Sequence, residues 1–151
     1  MQPTLKTALH DLCLQQVNQR IATAKEAMDA AQAAANNEGK SSAGDKYETG
    51  RAMMQLERDQ HARLLAEALK LKQALDKLDV SRQHEQVQPG SLLRTDTGYF
   101  FIAVSLGKLV WEGQEYMAIS PLTPLATSLI GLQQNETAVF NNKKIRILEL
   151  C

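Results

Sequence analysis

The stretch PGSLLRTDTGYFFIAV, residues 89–104, decides the fold class, because the sequence pattern differs on its two sides. Pro89 and Gly90 interrupt the chain, and the residues after them are mostly apolar, aromatic or β-branched, as is typical of strands. The tripeptide DTG at residues 96–98 has the composition of a turn between two strands. The sequence therefore predicts a strand-rich domain that starts at about residue 90.

Before this stretch, two segments have the apolar periodicity of long amphipathic helices. Residues 5–35 carry apolar side chains in steps of three and four, and residues 47–78 carry them in a seven-residue repeat. Between them, NNEGKSSAGD at residues 36–45 is rich in residues that interrupt helices. We predict an antiparallel coiled-coil hairpin over residues 1–80, with its tip near residues 37–48 and a reach of roughly 45–50 Å.

After residue 104, strand-like segments alternate with turn signals. A break falls at residues 112–113, and a short helix is expected in PLTPLATSLIG, with Thr123 as N-cap and Pro124 at the first helical position. Asn141-Asn142 is a candidate two-residue hairpin turn, since asparagine tolerates positive φ. The predicted fold class is therefore α+β: the hairpin, a linker over residues 81–89, and a small antiparallel domain of four or five strands and one short helix over residues 90–151.

Composition narrows the functional classes. The 151 residues include 17 basic and 17 acidic side chains, so no global charge favours nucleic acid or a membrane surface, and we expect no sequence-specific DNA binding. Without an apolar run of about 18 residues or a signal-peptide pattern, the expected location is cytoplasmic. Cys13 and Cys151 lie in different predicted modules and form no CxxC pair, so we expect neither a disulfide framework nor a cysteine-based metal site. Nucleotide-binding and hydrolase motifs are missing, so we expect no independent enzymatic activity.

The segment ISPLTPLATSLIGLQQNETAVF, residues 119–140, carries a resemblance to a known family. Its features are a hydroxyl residue followed by proline at Thr123-Pro124, then Ala126, then Leu-Ile-Gly at residues 129–131, a loop and a final hairpin. Together with the long helical hairpin and Tyr47 near its tip, this segment resembles the bacterial Gre transcript-cleavage factors, transcription elongation factors that bind RNA polymerase.

The resemblance implies a specific partner and mode of action. It implies an FKBP-like C-terminal domain that docks on RNA polymerase, here through Pro121, Thr123 and Pro124, while the coiled coil enters the secondary channel. In that family two acidic side chains at the tip help to hold a second Mg²⁺ in the polymerase's own active site, where backtracked RNA is hydrolysed. The Mg²⁺ thus belongs to the polymerase, and nascent RNA is met only indirectly. We expect a monomer.

The tip departs from the family pattern. Aligned on Tyr47, the two family acids fall on Ala43 and Lys46, which cannot take their place as Mg²⁺ ligands. Asp45 and Glu48 keep a three-residue spacing, which places them on one face of a helix, so we predict that these two are the catalytic and metal-binding acids.

Other tip residues carry weaker expectations. We predict that Lys46, Tyr47 and Arg51 contact RNA or polymerase. Asp45 also fits a helix-capping pattern with Ser42, and capping is compatible with a role at the metal.

Three alternatives remain. Ala43 and Lys46 favour a regulator or inhibitor that occupies the polymerase channel without promoting cleavage. An FKBP-like domain also raises the possibility of a prolyl isomerase, and the hairpin raises the possibility of a plain coiled-coil interaction module.

Two further expectations concern the structure. Glu57 and His61 are predicted to form a buried pair on the seam. Four aromatic residues are predicted to lie in the sheet core: Tyr99, Phe100, Phe101 and Trp111.

Overall fold

Two long helices form the N-terminal half of the chain. The computed structural model describes residues 1, 3–38 and 45–151, and the side chains of these residues except those of 38 and 45–48. Helix α1 spans Pro3–Glu38 and helix α2 spans Asp45–Asp76. Pro3 suits the first turn of α1, where its missing N–H needs no helical partner.

The predicted apolar stripe of α1 is confirmed. Its most buried members recur in steps of four and seven: Leu9, Cys13, Val17, Ala24 and Ala31. On α2 the first heptad column is confirmed at Ala68 and Leu75, which are buried. The second column is more open, since Leu64 is 49% exposed. In the terminal unit, His10 Nε2 of α1 lies 2.8 Å from the Leu75 carbonyl oxygen of α2. In the hairpin unit, α1 and α2 line one hollow, with Ala24 and Ala68 among its residues.

The predicted buried pair of Glu57 and His61 is only partly right. The two side chains are in contact, with 3.7 Å between Glu57 Oε1 and His61 Nε2, at the i, i+4 spacing. However, the side chain of Glu57 is 54% exposed, so the pair lies at the edge of the seam and is not buried. Solvent screening makes such a pair a weak determinant of helix register.

The C-terminal part contains six strands and one short helix. The strands are β1 (Leu92–Thr95), β2 (Gly98–Ile102), β3 (Gly107–Trp111), β4 (Gln114–Ile119), β5 (Thr137–Phe140) and β6 (Lys143–Leu150), and helix α3 spans Pro124–Leu129. The α+β fold class is confirmed. The expected number of strands was too low, because the apolar run after Gly98 forms two strands separated by residues 103–106.

The six strands form one sheet in the order β3-β4-β2-β1-β6-β5. Neighbouring strands are antiparallel except β2 and β4, which pair in parallel, with Phe100 opposite Met117. The prediction of a purely antiparallel domain is therefore corrected at this pair. The parallel arrangement arises because the β3–β4 hairpin folds back and places β4, not β3, beside β2.

Both faces of the central strands are covered, which explains why residues 99–102 are apolar without alternation. On one face, Leu93 and Ile102 join a core cluster with Ala126 and Leu129 of α3. On the other face, Leu92 and Phe101 are also fully buried. Residues of the first turns of α1 line a groove together with Tyr99 and Tyr116, which shows that α1 begins beside this second face.

Packing divides the chain into two units. The first, here called the terminal unit, comprises Met1–Gln15 and Gln73–Cys151; the second, the hairpin unit, comprises Gln16–Lys72. The proposed linker is bonded into the terminal unit, where Val87 exchanges backbone hydrogen bonds with Gly131 and Leu132. No described helix is both long enough and apolar enough to cross a membrane.

Candidate functional site

The start of α2 contains the predicted tip residues. The backbone is helical from Asp45, so positions 45 and 48 are separated by about one turn. The side chains of Asp45, Lys46, Tyr47 and Glu48 lie outside the described residues, as does Ala43, so the predicted roles of these acids stay predictions. Arg51 is on the next turn of α2 and is exposed.

The position of these acids has an electrostatic consequence that needs only the backbone. The first turn of a helix has unpaired N–H groups and the positive end of the helix dipole, which stabilise carboxylates placed there. Carboxylate oxygens are also the ligands that Mg²⁺ prefers. Among the side chains that the structure describes, no group of three or more His, Cys, Asp or Glu could hold a metal ion.

A second candidate site is the turn that leads into α3, here called the proline turn, residues 120–124. Thr123 N–H donates to the Ser120 carbonyl at 3.1 Å, and Thr123 Oγ1 donates to the same carbonyl at 2.8 Å. The hydroxyl of Ser120 accepts from the N–H of Leu122 at 3.2 Å. The turn is therefore fixed by its own hydrogen bonds, with Pro121 and Pro124 restricting φ at its two ends.

Thr123 caps α3 as predicted. Its φ and ψ are −69° and 150°, and its Oγ1 accepts from the N–H of Ala126 at 3.3 Å. Among the predicted docking residues, Pro121 and Thr123 are half-buried and Pro124 is exposed. The three lie together on one short segment, which is consistent with a single contact surface.

The most exposed residue of the proline turn, Leu122, was not among the predicted docking residues. Leu122 is 89% exposed, the highest value among the large exposed apolar side chains of the described residues. A signal was present in the sequence, because Leu122 falls between two prolines in a connecting segment, and such segments run over the protein surface. The side chain of Leu122 is therefore accessible to a partner.

A buried polar network lies elsewhere in the terminal unit. His84 Nδ1 is 2.8 Å from Ser91 Oγ, which also accepts from the N–H of Gln88 at 3.0 Å. Lys6 is fully buried and its Nζ donates to the Arg82 carbonyl at 2.5 Å. Ser91 is fully buried, so the Ser–His pair offers no nucleophile to solvent. The network joins α1 to the segment before β1, and we assign it a structural role.

Burial, together with nearby charges, shifts the pKa values of Lys6 and His84 in this network. Burial lowers the pKa of Lys6, while Cys151 and Asp79 oppose this change. Burial also lowers the pKa of His84, and the positive charges of Lys6 and Arg82 add to the effect, while Asp79 opposes it.

The aromatic residues are less buried than predicted. Phe101 is in the core, as expected, but Tyr99, Phe100 and Trp111 are only half-buried. Phe100 packs beside the cluster that includes α3. Tyr99 and Trp111 line a groove on the opposite face, together with Tyr116. The prediction that Tyr99 and Trp111 lie in the sheet core is thus wrong, because both rings pack on the sheet but remain partly exposed in this groove.

Comparison with protein-family models, with curated proteins and with solved structures gives no match to this chain. The functional interpretation therefore depends on the residues themselves and on the Gre resemblance described above.

Proposed function

We propose that this protein binds RNA polymerase, inserts its helical hairpin into the secondary channel and promotes cleavage of backtracked RNA through Asp45 and Glu48. The observation that supports it most is the start of α2 at Asp45. Both acids then lie in the first turn of the 32-residue helix α2. The positive end of a helix stabilises acids there, and a three-residue spacing gives them a common face.

The two acids suit a metal held mainly by a partner. Mg²⁺ accepts one or two protein carboxylates and keeps several waters, so two carboxylates can complete a shell that the polymerase supplies. When bound, such an ion stabilises charge on the reacting oxygens of a phosphodiester. The contribution of this chain is to present the two carboxylates together, and the helix that carries them limits their freedom.

The proline turn is the surface through which this protein is proposed to dock on the polymerase. Leu122 is the apolar contact, and Pro121 and Pro124 flank it. Because hydrogen bonds from Thr123 and Leu122 already fix this turn, little conformational entropy is lost on binding.

Cleavage of stalled complexes tests the proposal. We would assemble backtracked RNA polymerase complexes and measure 3′-end cleavage with and without the protein. The double variant Asp45→Asn plus Glu48→Gln should lower stimulated cleavage by about 100-fold or more, as expected when groups that stabilise transition-state charge are lost. Its affinity for polymerase should stay within about twofold, because the docking surface is unchanged.

The matched control is Asp59→Asn plus Glu67→Gln, which removes two exposed acids from the same helix away from its first turn. This variant should cleave like the unmodified protein. Equal cleavage by the tip double variant and the control variant would rule out the proposed role of Asp45 and Glu48.

A second candidate is a polymerase regulator that occupies the channel without stimulating cleavage. Ala43 and Lys46, at the positions of the family acids, favour it. In that case the unmodified protein binds polymerase and slows elongation, but 3′-end cleavage stays at its basal rate. The same assay therefore separates the two candidates.

A further inference from the structure

A groove in the terminal unit has aromatic walls and an acidic rim. Tyr99, Trp111 and Tyr116 line it from the sheet, opposite Thr4 and Ala8 of α1, and its volume is about 550 Å³. The rings of Tyr99 and Tyr116 lie 4.9 Å apart between centroids and are tilted by 60°. We call this site the aromatic groove.

The aromatic groove continues along α1. A second hollow of about 410 Å³ shares Thr4, Ala8 and Trp111 with the first and extends to Asp11 and Gln15. Trp111 therefore lines both parts of the groove, one of which includes Glu112 and the other Asp11. The whole groove belongs to the terminal unit.

Charge in the groove has one sign. Among the residues that line its two parts, the charged side chains are Glu112 and Asp11, and none is Lys or Arg. Both carboxylates are exposed, and neither has an ion-pair partner among the described residues. The acidic rim is a local feature, because the whole chain has equal numbers of acidic and basic residues.

The carboxylate of Glu112 acts on the groove itself. Burial raises the pKa of Tyr116, and Tyr99 and the negative charge of Glu112 raise it further. Glu112 also occupies a backbone position with φ of 49°, at the tight turn between β3 and β4. A cation placed here would therefore lie beside aromatic rings and a carboxylate at the same time.

These features select an arginine side chain. Cations are attracted to the faces of Trp and Tyr rings, and the planar guanidinium can stack on a ring while it donates paired hydrogen bonds to a carboxylate. Lysine can use the charge but not the stacking. We propose that the aromatic groove binds arginine in a basic segment of a partner protein, with the half-buried Trp111 and Tyr99 as stacking surfaces, the buried Tyr116 supporting Tyr99, and Glu112 as the counter-ion. This site does not depend on the proposed cleavage activity.

The only tryptophan of the chain, Trp111, provides a direct reporter. The probe is the peptide acetyl-Gly-Gly-Arg-Gly-Gly-amide, added to the full-length protein. Binding is followed by the shift of the Trp111 indole N–H signal in NMR and by tryptophan fluorescence. The comparison peptide has citrulline in place of arginine, which keeps the shape and removes the charge. We expect saturable binding of the arginine peptide and at least about fivefold weaker binding of the citrulline peptide.

Variants locate the site. Glu112→Gln should weaken binding of the arginine peptide by about fivefold, and Asp11→Asn should weaken it less, because Asp11 lies in the other part of the groove. The matched control is Glu136→Gln, which removes an exposed carboxylate from the same unit outside the groove and should leave binding unchanged. Higher salt should weaken binding to the unmodified protein, which tests the charge contribution without any substitution.

Three results would overturn the proposal. The first is equal binding of the arginine and citrulline peptides, which would exclude recognition of the charge. The second is unchanged binding to Glu112→Gln, or binding that leaves the Trp111 signals unmoved, which would place the site elsewhere. The third is tighter binding of a proline-rich peptide than of the arginine peptide, which would make the groove a proline-recognition site.

Discussion

The terminal unit and the hairpin unit bury different kinds of side chain. In the terminal unit many of the fully buried residues are large, among them Phe101, Ile102 and Ile147. In the hairpin unit the buried apolar residues are Val17 and small ones such as Ala24, Ala31 and Ala68, while Met53 and Leu64 remain exposed. Burial of a large side chain contributes roughly 1.5–3 kcal/mol, and an alanine contributes much less.

The difference in burial motivates separate expectations for the two units. The terminal unit holds most of the large buried apolar side chains, so stability is expected to reside mainly there. The proposed role of the hairpin unit is to carry Asp45 and Glu48. We therefore expect substitutions in the terminal unit to act mainly on stability and substitutions at the tip to act mainly on activity.

The largest predicted effect tests whether stability resides in the terminal unit. Phe101→Ala should lower the free energy of unfolding by about 3–5 kcal/mol, because a fully buried aromatic ring leaves a cavity. Leu64→Ala, in the hairpin unit, should cost less than about 1 kcal/mol, because the side chain is 49% exposed. Urea unfolding measures both, with Trp111 fluorescence reporting on the terminal unit and far-UV circular dichroism on the helices. A similar cost for the two variants would refute the contrast.

A second prediction concerns pH and the network around His84. The pKa of His84 in the folded protein lies below the ordinary value of 6.5, so His84 binds a proton more readily in the unfolded chain. Stability should therefore fall as pH decreases below about 6.5, by at most about 1.4 kcal/mol per pH unit for this one group.

His84→Gln should remove this component of the pH dependence, as measured by urea unfolding at a series of pH values. His61→Gln, which changes a histidine of the hairpin unit, is the matched control and should keep it. If His84→Gln shows the same pH dependence as the unmodified protein, the assignment to His84 is wrong.

The smallest effect concerns the cap of α3. Thr123→Ala should reduce stability by about 1 kcal/mol, because the hydroxyl that accepts from Ala126 N–H is lost. Thr123→Ser keeps the hydroxyl and should recover most of this loss. Thermal unfolding of the three proteins measures the difference. If serine and alanine are equally destabilising, the hydroxyl does not cap the helix.

Local chemistry made much of the fold predictable. The cap at Thr123 and the turn at Asn141-Asn142 depend on residues close in sequence, and both asparagines have positive φ as expected. The parallel pairing of β2 with β4 was missed because it depends on how a hairpin folds back over the sheet, which no local pattern encodes. The exposed side of Trp111 was missed for the same reason, since it depends on where α1 passes.

The candidate sites were predictable to different degrees. The short segment with Pro121, Thr123 and Pro124 was found through a sequence resemblance, but Leu122 between them emerged only from its exposure. The aromatic groove brings together residues 4–15 and 99–116, which are distant in the chain, so sequence periodicity could not reveal it. Asp45 and Glu48 remain predictions from spacing.

One measurement tests the proposed division of roles most directly: polymerase binding and 3′-end cleavage for Leu122→Ser beside the tip double variant Asp45→Asn plus Glu48→Gln. We predict that Leu122→Ser weakens binding and that saturating protein restores its cleavage. We predict that the tip double variant binds normally and stays inactive at saturation. Full cleavage by the tip double variant at saturating concentration would contradict the account.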